Sequence, residues 1–194
     1  PWCYVGTVRL DEVKDHFGEK VSISWKSFLL KSGSKVPERE KFINYTRGWQ
    51  KMGDLEPRAD FQPWSTQNAP PSGSLPAQIA HKIVVSEWPE MAMDMHYKLL
   101  KAYFSENRTI SNWDVLADLV SSIGGDSDHF LSVVDEKREI FADAVISEHN
   151  EAINQGITAV PTVLINNVLP VPGAQETETY INWISRIIER TEGI

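Results

Sequence analysis

The sequence predicts an α/β fold whose sheet is interrupted by a large helical insertion and whose first strand is missing from the chain. Three observations carry this expectation. Residues 21–25 alternate apolar and polar side chains, residues 77–155 hold a helical pattern almost throughout, and residues 157–165 switch to a β-branched, apolar run.

Taken in order, residues 7–18 set Val8, Leu10, Val13 and Phe17 among charged neighbours, an amphipathic helix stopped by Gly18. Val21, Ile23 and Trp25 share one face of a strand that runs on into Phe28-Leu29-Leu30. A strand reached through a crossover helix needs a parallel partner ahead of that helix, so a strand is expected before Pro1. Residues 31–76 are loop-rich, punctuated by Pro37, Pro57, Pro63, Pro70, Pro71 and Pro76, with a short helix expected over 39–52. A connection of that length is expected to shape a surface or a site.

Beyond it, Ser111 precedes an apolar face of Leu116, Leu119, Val120 and Ile123, with Asp114 at the third position after the cap. Gly124-Gly125 stops that helix, and Asp126 or Ser127 caps the next. A helix over 135–154 presents Ile140, Ala144, Ile146 and Ile153, and Gly156 suits its C-terminal cap. Asn166-Asn167 forms a hairpin-type turn between strands at 157–165 and 168–171. A last helix over 177–190 buries Ile181, Ile184 and Ile188. The expected domains are therefore 1–76 joined with 156–194, and an inserted helical subdomain over 77–155.

Composition narrows the function classes. With 194 residues, 41% hydrophobic content and seven tryptophans, the chain supports an ordered core. A net charge of −8 disfavours nucleic acid and anionic membrane as partners, because phosphate contacts need clustered Lys and Arg. No apolar stretch reaches the roughly 18 residues of a membrane span. Acidic charge and a single cysteine lean towards a cytoplasmic location.

Chemistry concentrates at the two ends. Pro1-Trp2-Cys3-Tyr4-Val5-Gly6 reads as the last part of a C-x-x-C motif whose first cysteine is absent. In such a motif the first sulfur sits at a helix N-terminus, where unpaired amides lower its pKa; the second lies one turn inside and resolves the mixed disulfide. A lone cysteine is more often an inert core residue. The other end shifts that balance, since Val160-Pro161-Thr162 puts a proline inside a strand-like run. Either it marks an edge strand, or a cis Val160–Pro161 bond opens a loop facing the cysteine and leaves the Val160 backbone free to pair with an extended peptide.

These two motifs, with Val171-Pro172-Gly173-Ala174-Gln175 before the last helix, resemble the DsbA-like thioredoxin superfamily, and most nearly its FrnE-type dithiol–disulfide oxidoreductases. The resemblance spans essentially the whole chain. It implies a thioredoxin-like sheet carrying an inserted helical subdomain and a thiol–disulfide oxidoreductase or isomerase acting on protein or small-molecule thiols and disulfides. By the same resemblance Cys3 is the resolving cysteine and Pro161 the cis-proline; Pro1 and Trp2 tune the redox centre, and Val160 lines the substrate groove. No resident cofactor is implied, with glutathione as a possible co-substrate. A serine before Pro1 would point instead to kappa-class glutathione transferases and hydroxychromene-carboxylate isomerases, which share the fold. Neither residue there would leave a non-catalytic binding protein.

The remaining candidates are weaker. His16, His81, His96, His129 and His149 lack metal-ligand spacing and are expected at the surface or at caps. Met91, Met93 and Met95 are expected to pack inside the helical region. Asn44-Tyr45-Thr46 and Asn107-Arg108-Thr109 match the glycosylation sequon, which matters only in a eukaryotic secretory setting.

Overall fold

A computed structural model describes residues 1–30 and 35–192. Eight α-helices and two strands are found there: α1 Trp2–Phe17, α2 Arg39–Thr46, α3 Gln50–Leu55, α4 Leu75–Glu87, α5 Ala92–Phe104, α6 Trp113–Ser122, α7 Ser127–Asn154, β1 Thr162–Ile165, β2 Leu169–Pro172 and α8 Thr177–Glu192. The fold is α/β, a small antiparallel sheet with a large block of helices inserted ahead of it. No described helix is long and apolar enough to cross a membrane.

Three clusters of buried side chains hold these elements. The helical block α4–α7 closes around Ile83, Met95, Leu119 and Phe130, all fully buried. A second, aromatic cluster joins Tyr4 of α1 to Phe42, Trp49, Phe61 and Trp64, with Phe104 of α5 at its centre. The loop-rich stretch before residue 76 builds interior as well as surface, since its rings supply most of this cluster; its residues 31–34 lie outside the described residues. The third cluster packs Leu10 and Val13 of α1 onto Ile165, Val171, Tyr180 and Ile184 of the hairpin and α8.

Several expectations need correction. The first helix begins at Trp2 rather than near residue 7, so it includes Cys3. Residues 21–30 do not form a strand. Their alternation is real, because Val21, Ile23 and Trp25 pack on the third cluster while Ser22 and Ser24 face solvent. A ladder also needs backbone partners, and among the described residues none lies alongside; the Ser27 and Leu29 amides instead donate to Glu148 and His149 of α7. Strand β1 starts only at Thr162, after the 157–161 loop.

Asn112, not Ser111, caps α6, its side chain accepting from the Asp114 amide at 2.8 Å. Asp126 caps α7 through the Asp128 and His129 amides. The apolar face expected on α7 is the wrong one. Ile140, Ile146 and Ile153 are exposed, and Phe130, Val133, Val134, Ala142 and Val145 are buried. At 100° per residue Ile140 and Ile146 lie about 120° apart and flank the buried stripe on opposite sides. Asn107 is 1% exposed, accepting from the Ser65 amide and donating to the Gln62 carbonyl, so it serves as an internal clamp rather than a modification site.

Candidate functional site

The N-terminal turn of α1, the loop into β1 and the loop after β2 meet at Gly6. A Cβ built on Gly6 would stand 3.2 Å from Pro161 Cγ and 3.7 Å from Ala174 Cβ. Motifs from the start of the sequence and from the two ends of the hairpin thus converge on one position of the helix, one turn from Cys3. The peptide bond between Val160 and Pro161 is cis. The Pro161 carbonyl accepts from the Gly173 amide at 2.8 Å, which ties the two loops together.

The loop after β2 is itself firmly held. Tyr180 donates its hydroxyl to the Gly173 carbonyl at 3.0 Å and accepts from the Gln175 amide at 3.2 Å. Arg9, on α1 and only 3% exposed, donates to the Ala174 carbonyl at 2.9 Å. Its guanidinium also pairs with Glu56 and Glu176, each at 3.0 Å. Glu56 in turn accepts from Arg58 at 2.6 and 2.8 Å, and Arg58 pairs with Glu12. The Arg58 hydrogen bonds, with Arg9 assisting against the upward push of burial, hold the Glu56 carboxyl down to about 2.

The five residues singled out in the sequence take the following places. Pro1 is the N-cap of α1, and its carbonyl accepts from the Tyr4 and Val5 amides. Trp2 projects outward, 48% exposed. Cys3 is partly buried, and burial pushes its thiol up from the ordinary value. Pro161 lies against Gly6. Val160 is partly buried, and no hydrogen bond engages its backbone among the described residues. Cys3, Gly6, Leu10, Val13 and Phe17 form one stripe at helical spacing, which turns the cysteine towards the side of α1 that packs on the hairpin and α8.

Thr7 and Arg9 were given no role from the sequence, and Gly6 only closed the cysteine motif. A glycine mid-helix and a buried arginine beside an acidic loop are weak signals without coordinates. His96 was expected at the surface or at a cap; it is instead stacked against Trp25 with centroids 3.8 Å apart, and its Nε2 lies 3.0 Å from Thr7 Oγ1. His81 likewise turns inward, its Nε2 3.2 Å from the Ala92 carbonyl.

The contact at Gly6 makes a testable point. Gly6→Ala sets a helix-propensity gain of about 1 kcal/mol against one tight approach and should be close to neutral. Gly6→Val adds branched bulk against the Pro161 ring and should cost about 2 kcal/mol, read as a lowered urea midpoint. An unchanged midpoint for the valine variant would mean that Pro161 is not seated on α1.

A cysteine at the start of a helix whose next turn abuts a cis-proline loop defines a thioredoxin-type architecture. The sequence matches the DSBA-like thioredoxin domain over residues 1–184, and the chain belongs to that family. It is 23% identical over 189 residues to the uncharacterized protein YwbO of Bacillus subtilis, covering 95% of this chain and 90% of that one. Among solved structures it resembles SCO1869 of Streptomyces coelicolor, described as a probable DsbA oxidoreductase, at 19% identity and a TM-score of 0.73, covering 96% of this chain and 84% of that one. It also resembles the cytosolic disulfide reductase DsbM of Pseudomonas aeruginosa, solved with GSH, at 14% identity and a TM-score of 0.71, covering 98% and 94%. At these identities the two structures establish a shared fold.

Proposed function

We propose that the protein is a thiol–disulfide oxidoreductase or isomerase of the DsbA/FrnE type, acting on protein or small-molecule thiols. The observation that carries this reading is the convergence of the Cys3 turn, Pro161 and Ala174 on Gly6. In the reductive direction, a thiolate in the position before Pro1 attacks one sulfur of a substrate disulfide and expels the other as thiolate. Cys3 then loses its proton and attacks the enzyme sulfur of the mixed disulfide. The second substrate thiolate leaves, and the enzyme holds the new disulfide, oxidised by two electrons. The oxidative direction is the reverse.

A thiol pushed up by burial suits the second role, since Cys3 stays protonated until the mixed disulfide is beside it. The unengaged Val160 backbone supports an extended peptide pairing across the groove, with Pro1 and Trp2 at its edge. That DsbM was solved with GSH supports glutathione as a small-molecule co-substrate, and its description as cytosolic supports a cytoplasmic location for this protein.

The test uses a chain with a cysteine in the position before Pro1. It should reduce insulin with dithiothreitol as the electron source. Adding Cys3→Ser should abolish turnover and trap mixed disulfides, seen as a mass increase reversed by dithiothreitol. Neither turnover nor trapping would defeat the dithiol reading. A melting temperature raised by glutathione in that same outcome would favour the glutathione-dependent transferase or isomerase instead.

A further inference from the structure

Cys3 lies in a helix turn that has no side-chain cap and no acidic residue in its first turn. Besides its own backbone hydrogen bonds, the turn is tied to a side chain one turn on and, through it, to α5. The Thr7 hydroxyl, 1% exposed, donates to the Cys3 carbonyl at 2.9 Å. His96 of α5 brings its Nε2 to 3.0 Å from the same hydroxyl oxygen. With the one hydroxyl proton directed at the Cys3 carbonyl, which only accepts, the matching tautomer of His96 is the one that donates from Nε2.

The imidazole is held by neighbouring rings. Trp25, delivered by the extended segment after α1, stacks on it at an interplanar angle of 10° and donates its own Nε1 to Met93 Sδ at 3.2 Å. His81 of α4 meets it edge-on at 6.0 Å. Burial, with His81 adding to it, holds His96 down at about 3, so the ring is neutral at physiological pH.

The geometry points to His96 as a positioning residue for Cys3: relayed by Thr7, it keeps the first turn of α1 closed around the thiol. Serially linked hydrogen bonds polarise and reinforce one another, and their loss lets the turn open as a local unit. The part this plays in disulfide exchange rests on the function proposed above. The shielding itself does not, and it is measurable without turnover.

Cys3 is the one cysteine of residues 1–194, so for a chain of these residues the rate of alkylation by iodoacetamide is its rate alone. His96→Phe keeps a ring on Trp25 and removes the donor; Thr7→Val keeps the shape and removes the hydroxyl. Each should accelerate alkylation about fivefold, the population change that one net hydrogen bond commands. Thr7→Ser and His96→Gln restore the polar group and should return the rate towards that of the parent. The double variant His96→Phe with Thr7→Val should be no faster than either single, because both break the same relay.

The excess rate should also be independent of urea below the unfolding transition, the mark of local opening. Unchanged rates, additive accelerations, or an excess that climbs with urea in step with unfolding would each overturn the proposal. If His96→Phe does not fold, the Thr7→Val and Thr7→Ser pair decides it alone. Failure of the insulin assay alongside the expected alkylation rates would count against the exchange chemistry and leave the relay standing; the opposite pattern would remove the relay only.

Discussion

Phe104→Ala is expected to lower the stability of the fold by about 4 kcal/mol, the middle of the range for truncating a buried aromatic side chain. Phe104 is 7% exposed and meets four rings. It stacks on Tyr4 at 5.8 Å and meets Phe61, Trp49 and Tyr103 edge-on at 5.4, 4.9 and 4.7 Å. Its backbone carbonyl also accepts from the Gln62 amide at 2.8 Å. The ring is therefore the place where α1, α5 and the proline-rich stretch are joined. The cavity left behind cannot collapse easily, because its walls are rigid rings anchored on three separate segments. Equilibrium urea unfolding followed by tryptophan fluorescence checks the figure, with Trp49 and Trp64 lying in the same cluster. A loss below about 1 kcal/mol would mean that the cluster closes over the gap.

Glu56→Gln is expected to cost about 3 kcal/mol at pH 7, the lower end for removing one partner of a buried ion pair. The variant leaves Arg9 almost wholly buried, with the exposed carboxylate of Glu176 as its remaining counter-charge. The pH dependence provides a second signature. A carboxyl held down to about 2 by Arg58 and Arg9 contributes stability that is complete above the ordinary glutamate pKa of about 4.5 and is lost as pH falls towards 2. The parent should therefore lose stability steeply between those values. The glutamine variant, with no proton to take up there, should show a flatter profile. Parallel slopes would place the acid sensitivity elsewhere.

Local chemistry was legible in the sequence. Asp126 as a cap, the Asn166-Asn167 turn and the proline at the entrance to β1 all follow from short-range rules that need no neighbour. The same holds for the alternation of Val21, Ile23 and Trp25, which reports which side of the chain meets apolar surface. Whether such a segment is a strand depends on what lies beside it, and that information is not in the segment. The misjudged face of α7 has a related cause. Its isoleucines are more hydrophobic than Ala142 or Val145, but what is buried is decided by where α4 and α6 run, not by side-chain type.

The candidate site shows the same division. Cys3 and Pro161 were legible because their chemistry is unusual for their positions. Gly6, Thr7, Arg9 and His96 were not, because each matters through a partner distant in sequence. Thr7 and His96 stand 89 positions apart, and Arg9 and Ala174 stand 165 apart.

Those separations bear on how the protein is made. A ribosome delivers Cys3 long before Pro161, Ala174 and α8, which cover its side of α1. Contacts of such long range are slow to form, since the ends of a long chain must be brought together first. While residues 18–160 are being added, the cysteine therefore travels on a helix whose cover does not yet exist. The helical block between them, built on contacts among α4–α7, can consolidate meanwhile and bring the two ends of the chain within reach of each other. Nascent-chain thiol labelling should accordingly find Cys3 open until α8 has cleared the exit tunnel, and closed soon after.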